Sequence, residues 1–184
     1  MKRGKITRMD KWDTPTSRPR LRGGNIPVCD LRPRTVLHQL GSLHYFSQFR
    51  RTKKGTPFAE IKQSEDIAEL FADTASSFLE SFIANTEDWA IITTPRRRHH
   101  SGFHFATAVC ERISARLGIP FYSDSVQCIN RNRLAPEFHH LRPIDERNLI
   151  IYDDIITTGS TLTATAELFA DRNFILNLTS INNR

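Results

Sequence analysis

The sequence predicts an α/β protein with a parallel sheet and helices on both faces. Three observations point there. Short apolar runs, DWAIITTP, IPFYSD, NLIIYD and FILNLTSI, alternate with stretches of helical periodicity. Each contains a short apolar run, as expected of a strand buried on both faces. The run NLIIYD also leads into an acidic pair and a hydroxyl-rich loop, DDIITTGST, and open α/β sheets bind ligands beyond the carboxyl ends of their strands.

Residues 1–34 read as a basic arm or hood and 35–184 as the folded domain. Pro15, Pro19, Gly23 and Gly24 make the first 26 or so residues irregular. Between Ile26 and Lys62 the one expected element is a strand near Leu43–Phe49. Ser64 can then N-cap a helix whose Glu65 and Asp66 suit its positive end. In that helix Ile67, Leu70, Phe71, Ala75, Phe78 and Phe82 recur at steps of three or four and mark a core face. DWAIITTP is a strand stopped by Pro95. A second helix spans about Gly102 to Leu117, burying Phe105, Val109, Ile113 and Leu117, and IPFYSD is a further strand. Residues 126–147 are polar and proline-broken, too long for an ordinary connection. The strand NLIIYD is expected to end at Tyr152, the next helix to begin near Gly159, and FILNLTSI to be the last strand.

The formal charge is +6, and it is unevenly placed. Ten of the 26 basic residues but only three of the 20 acidic ones lie in residues 1–34. Such an arm can bind nucleic acid or another polyanion, or simply be solvated. No run approaches the roughly 18 apolar residues that span a bilayer, so no membrane is expected. The N-terminus has no apolar segment of the signal-peptide kind, which makes the cytoplasm the expected location. Cys29, Cys110 and Cys128 are isolated and odd in number, so neither a disulfide framework nor a zinc site is expected.

The loop after the acidic pair suits a phosphate monoester. Thr157, Thr158, Ser160 and Thr161 supply hydroxyl donors, Gly159 allows close backbone approach, and a helix N-terminus adds positive potential. It has no lysine and is not a Walker A loop. Asp153 and Asp154 would repel a phosphate they faced, so their fitting partners are sugar hydroxyls or a cationic centre. A sugar 5-phosphate meets both demands.

LIIYDDIITTGST resembles the phosphoribosyl-pyrophosphate motif of the type I phosphoribosyltransferases. ITTPRRRHHSGFHFATAVCERISARLGIPF and INRNRLAPEFHHLRPIDERNL look similar to the ComF-like branch, without its N-terminal zinc module. His104 and Phe105 follow the Gly-Phe where Asn-Gln is more usual. The resemblance covers about Asp88 to the C-terminus, and Leu43–Ile83 more loosely. It implies a phosphoribosyltransferase-like fold, Mg²⁺ held through the substrate near Asp153 and Asp154 rather than in a protein cage, and phosphoribosyl pyrophosphate or a nucleoside monophosphate as ligand. A homodimer is compatible with it. Carried over residue by residue, it makes Asp153 and Asp154 catalytic and gives Ile155, Ile156, Thr157, Thr158, Gly159, Ser160 and Thr161 to the 5-phosphate. Thr94, Pro95, Arg96 and Arg97 go to pyrophosphate, with Arg131 and Arg133 on a loop that closes over the substrates. With no C-terminal hood expected after FILNLTSI, the acceptor pocket falls to the N-terminal region around His44–Phe49. Two readings stay open: a transferase moving phosphoribose to or from a nitrogen acceptor, and a non-catalytic sensor of phosphoribosyl pyrophosphate or nucleotide, linked to nucleic acid through the basic arm.

Overall fold

A computed structural model describes residues 26–95, 103–130 and 135–184. In chain order its elements are strands β1 (Val28–Cys29), β2 (Val36–Leu40), β3 (Leu43–Thr52) and β4 (Thr56–Pro57), then helices α1 (Phe58–Ile61) and α2 (Glu65–Phe82). A 3-10 turn (Thr86–Asp88) leads to β5 (Trp89–Thr93), α3 (Phe105–Leu117), β6 (Val126–Cys128) and β7 (Phe138–His140). The chain finishes with β8 (Asn148–Ile156), α4 (Ser160–Leu168) and β9 (Phe174–Asn182).

Among the described residues one seven-stranded sheet runs β4-β1-β3-β9-β8-β5, with β2 also on β3. The pairs β3–β9, β9–β8 and β8–β5 are parallel. The pairs β1–β3, β1–β4 and β2–β3 are antiparallel. The expected parallel sheet is thus the centre of a mixed one, whose antiparallel edge comes from residues 26–62. There β3 extends past the anticipated Phe49 to Thr52, and β2 folds back on it through Gly41, at φ 60°.

Both faces of the central strand are buried, which is why NLIIYD carries no polar alternation. Ile150 and Tyr152 enter a core shared with Phe71, Ala75 and Leu79 of α2 and Val109 and Ile113 of α3. Leu149 and Ile151 enter the opposite core, with Leu162 and Phe169 from the α4 side. Helices therefore cover both faces of the sheet.

Four expectations need correction. In α2 the Ser64 hydroxyl does accept the Ile67 N–H at 3.2 Å, as a cap should. The buried stripe, however, is Ala68, Phe71, Ala72, Ala75, Ser76 and Leu79; Ile67, Leu70 and Phe78 are shoulders, and Phe82 is 44% exposed. Small residues let α2 approach closely, and a search for large apolar side chains passes over them. IPFYSD is not a strand: Phe121 alone bridges Ile91, and Pro120 contributes only its carbonyl, to the Ile91 N–H. The stretch 126–147 is not a bare loop, because β6 and β7 form an antiparallel ribbon. Val126 and Ile144 pin it to the α4-side core, and His140 packs edge-on to Phe169 at 4.6 Å. Finally, the helix placed from Gly102 begins at Phe105 within the described residues, with His104 Nδ1 accepting the Thr107 N–H.

Cys29 and Cys110 are buried, Cys128 is half-buried, and all three are free thiols. No described helix is long and apolar enough to cross a membrane. Phe71 stacks on Phe49 at 4.1 Å and meets Phe105 edge-on, with no solvent exposure. Phe71→Ala should therefore cost about 3–5 kcal/mol in urea denaturation, and Phe82→Ala about 1 kcal/mol or less. Equal costs would refute this assignment of the helix face.

Candidate functional site

The carboxyl ends of β5 and β8 bring predicted residues together. Strand β8 does not stop at Tyr152. It continues to Ile156, because β9 still offers partners there, with Ile155 opposite Ile181 and Ile156 opposite Asn182. Asp153 and Asp154 thus sit within the strand. Asp153 pairs with Thr179 of β9, and Asp154 lies between that pair and the next, Ile155 with Ile181.

Pairing across β3, β9 and β8 is interrupted at one row, that of Gln48, Ser180 and Asp154, and resumes in unchanged register beyond it. Facing shifts across that row. Phe46, Leu178 and Tyr152 turn to the α2–α3 core before it, and Phe49, Ile181 and Ile155, three residues later, turn there again. Strict alternation would return after two or four. The Gln48 side chain is fully buried and its amide makes no hydrogen bond.

The two acids have different partners. Thr94, one residue beyond β5, donates its hydroxyl to Asp153 Oδ1 at 3.0 Å, and its N–H goes to the Tyr152 carbonyl at 3.0 Å. Asp154 Oδ2 pairs with Lys62 Nζ at 2.5 Å. Lys62 follows α1, whose Phe58 and Ile61 are buried in the core, so that short helix aims the ammonium at the acidic rim. Sequence reasoning missed Lys62, because an ion pair between residues so far apart in the chain leaves no spacing signal. Burial, and then the charge of Asp154, push the Asp153 carboxyl from 3.8 up to about 7, against the opposing effects of the Thr94 hydroxyl and Lys62.

The loop behind the pair is shorter than expected, because Ile155 and Ile156 belong to β8, and its helix starts one residue later, at Ser160. Gly159 precedes it at φ 80°. A Cβ there would lie 2.6 Å from Leu40 Cδ2, so the β2–β3 hairpin packs directly under the turn. Thr157 and Thr158 are exposed, Ser160 and Thr161 are partly exposed, and Ile156 is buried as the loop's anchor. The Thr158 and Ser160 hydroxyls lie 3.1 Å apart. The Thr163 N–H reaches the Gly159 carbonyl at 2.8 Å, which leaves the N–H groups of the preceding turn directed out of the helix toward the loop. Pro95 is buried beside Thr94. Arg96, Arg97, Arg131 and Arg133 lie outside the described residues. Among the described residues no group of three or more His, Cys, Asp or Glu could hold a metal ion.

Solved structures that match the chain include phosphoribosyltransferases. An adenine phosphoribosyltransferase superposes with a TM-score of 0.48 at 18% identity, covering 79% of this chain and 84% of its own. The adenine phosphoribosyltransferase of Saccharomyces cerevisiae gives 0.47 at 17% identity, over 80% and 83%. The orotate phosphoribosyltransferase of Aeropyrum pernix gives 0.46 at 15%, over 79% and 73%. No family model and no curated protein matches the chain.

Two outcomes are expected. Folded Asp153 holds its proton more tightly than the unfolded chain does, so its contribution to stability falls as pH rises from about 4 to about 7. Asp153→Asn should leave Tm near the parent value at pH 4 and raise it by about 4–8 °C at pH 8, for a contribution of about 2 kcal/mol. A pH-independent difference would show that Asp153 is not held protonated. Gly159→Ala should cost about 1–2 kcal/mol in denaturant, from the left-handed backbone and displaced Leu40.

Proposed function

We propose that the protein is a Mg²⁺-dependent phosphoribosyltransferase, ComF-like in its site. The observation that carries this reading is the convergence of Asp153, Asp154, Thr94 and the 157–161 loop on one rim of the sheet, within the stretch LIIYDDIITTGST. A loop of hydroxyls and backbone N–H groups at a helix N-terminus favours a phosphate monoester. Carboxylates one and two strand residues before Ile155 favour the sugar hydroxyls next to it.

In the reaction the C1–oxygen bond to pyrophosphate breaks with its electron pair on the leaving oxygen. C1 then bonds to the acceptor nitrogen, which releases a proton. Positive charge grows on the ring while C1 is between partners, and negative charge near the hydroxyls stabilises it. Asp154, with Lys62 against it, and Asp153, with Thr94 against it, are pre-oriented for that task. Above pH about 7 the Asp153 carboxylate can accept two sugar hydroxyls; below it, the proton competes. The donor set fits Mg²⁺ as a guest of the substrate, since two carboxylates, one already paired with a lysine, do not make a cage. When bound, the ion supplies neutralisation of the pyrophosphate oxygens. Thr94 and Pro95, with Arg96, Arg97, Arg131 and Arg133, are assigned to pyrophosphate in this scheme. The boundary between a 1–34 arm and the 35–184 domain needs correction in this scheme, because β1, at Val28–Cys29, pairs with β3 and β4 and Cys29 enters the core.

Labelled phosphoribosyl pyrophosphate with Mg²⁺ and a panel of nitrogen acceptors tests the proposal. Pyrophosphate release that needs an acceptor is expected, and the double variant Asp153→Asn/Asp154→Asn should lose at least about 100-fold in kcat while remaining folded. Binding without turnover on any acceptor would make the protein a sensor. Full activity in the double variant would remove the site assignment.

A further inference from the structure

A cavity of about 580 Å³ opens at the carboxyl ends of β3 and β9, on the far side of β9 from the acidic pair. Its rim carries Arg34, Arg50, Arg51, Lys53 and Arg184, and no acidic residue lines it. All five are exposed, and none forms an ion pair among the described residues. Other cations of the fold do find acids: Arg112 meets Glu65 and Glu69, Arg116 meets Glu69 and Asp73, and Lys62 meets Asp154. Five like charges around one concavity repel one another, and they are uncompensated in a chain whose residues beyond 34 are nearly balanced in charge.

Beneath the rim, uncharged polar groups sit beside Val36 and Phe49. His38 Nε2 lies 2.8 Å from Ser47 Oγ, and its ring stacks on Tyr45 at 4.9 Å. Burial holds that imidazole below its usual range, so at neutral pH it offers hydrogen bonds rather than charge. Asn182 completes the floor with its amide about 3.4 Å from the same ring. The backbone ties the wall down as well: the Arg34 N–H donates to the Gln48 carbonyl at 2.6 Å.

We propose that this cavity is a second ligand site, taking a small polyanion of nucleotide size that carries several phosphate or carboxylate groups. Its volume lies within the range of small-molecule pockets. The basic segment that precedes Ile26 is disfavoured as the occupant by its own charge. Cations focused on a concave wall attract such a ligand and discriminate strongly by ligand charge. The site stands apart from the 157–161 loop: Asn182 separates them, pairing with Arg50 on one side and Ile156 on the other.

Isothermal titration with inorganic tripolyphosphate tests this directly, on the full chain without Mg²⁺. Arg34→Gln/Arg51→Gln/Lys53→Gln, all at exposed positions, should weaken binding by about tenfold or more with Tm unchanged. Thr158→Val/Ser160→Ala, in the loop, should leave the same binding event intact. The two sites can therefore fail separately. Unaltered tripolyphosphate affinity in the triple variant would overturn the proposal. So would displacement of tripolyphosphate by a single-stranded 12-mer binding about 100-fold tighter, which would give the surface to nucleic acid.

Discussion

Two carboxylates on consecutive residues of a central strand cannot both ionise in a half-buried setting without compensation. Much of the architecture around the rim meets that demand. The Thr94 hydroxyl arrives from the end of β5, and the Lys62 ammonium arrives from α1. Neither position is dictated locally. Each depends on a strand or helix being fixed by the core, with Ala90–Ile92 buried beneath Thr94 and Phe58 and Ile61 buried beside Lys62. The compensation stays incomplete, and Asp153 holds its proton to about 7 as a result. A site in that condition sits near a charge change at physiological pH, which suits a group that must respond to a ligand's charge.

The parts of the fold legible in the sequence were those with one dominant signal. NLIIYD is unbroken in apolar residues from Leu149 to Tyr152 because both its faces are buried; FILNLTSI is mostly apolar, with Asn177, Thr179 and Ser180 also buried, and the two pair in parallel. Ser64 announced its helix by its own side chain. The readings that went astray involved competing signals. IPFYSD has strand composition, yet its proline and the turn at Asp124, at φ 52°, leave it one bridge. In α2 the aromatics drew attention to Phe78 and Phe82, whereas alanines set the contact face.

For the candidate site, the sequence revealed everything within one short window and little across the fold. The acidic pair, glycine and hydroxyls are adjacent in the chain, so local chemistry identified them. Lys62 was invisible, as was the support under Gly159 from Leu40, because each is a contact between distant segments. The cluster of cations behind β9 was legible only in part. Arg50, Arg51 and Lys53 are neighbours in the basic stretch RRTKKGTP, but Arg34 and Arg184 join them only through the fold.

The interrupted row across β3, β9 and β8 carries a mechanical implication. On its outer side the strands are joined by ladder pairs from Arg50 through Asn182 to Ile156, and that strip reverses its facing in concert. That strip spans the seam as a lintel spans an opening. One end is the wall of the cationic hollow; the other is the threshold of the turn at Gly159, so a single width of backbone joins the two.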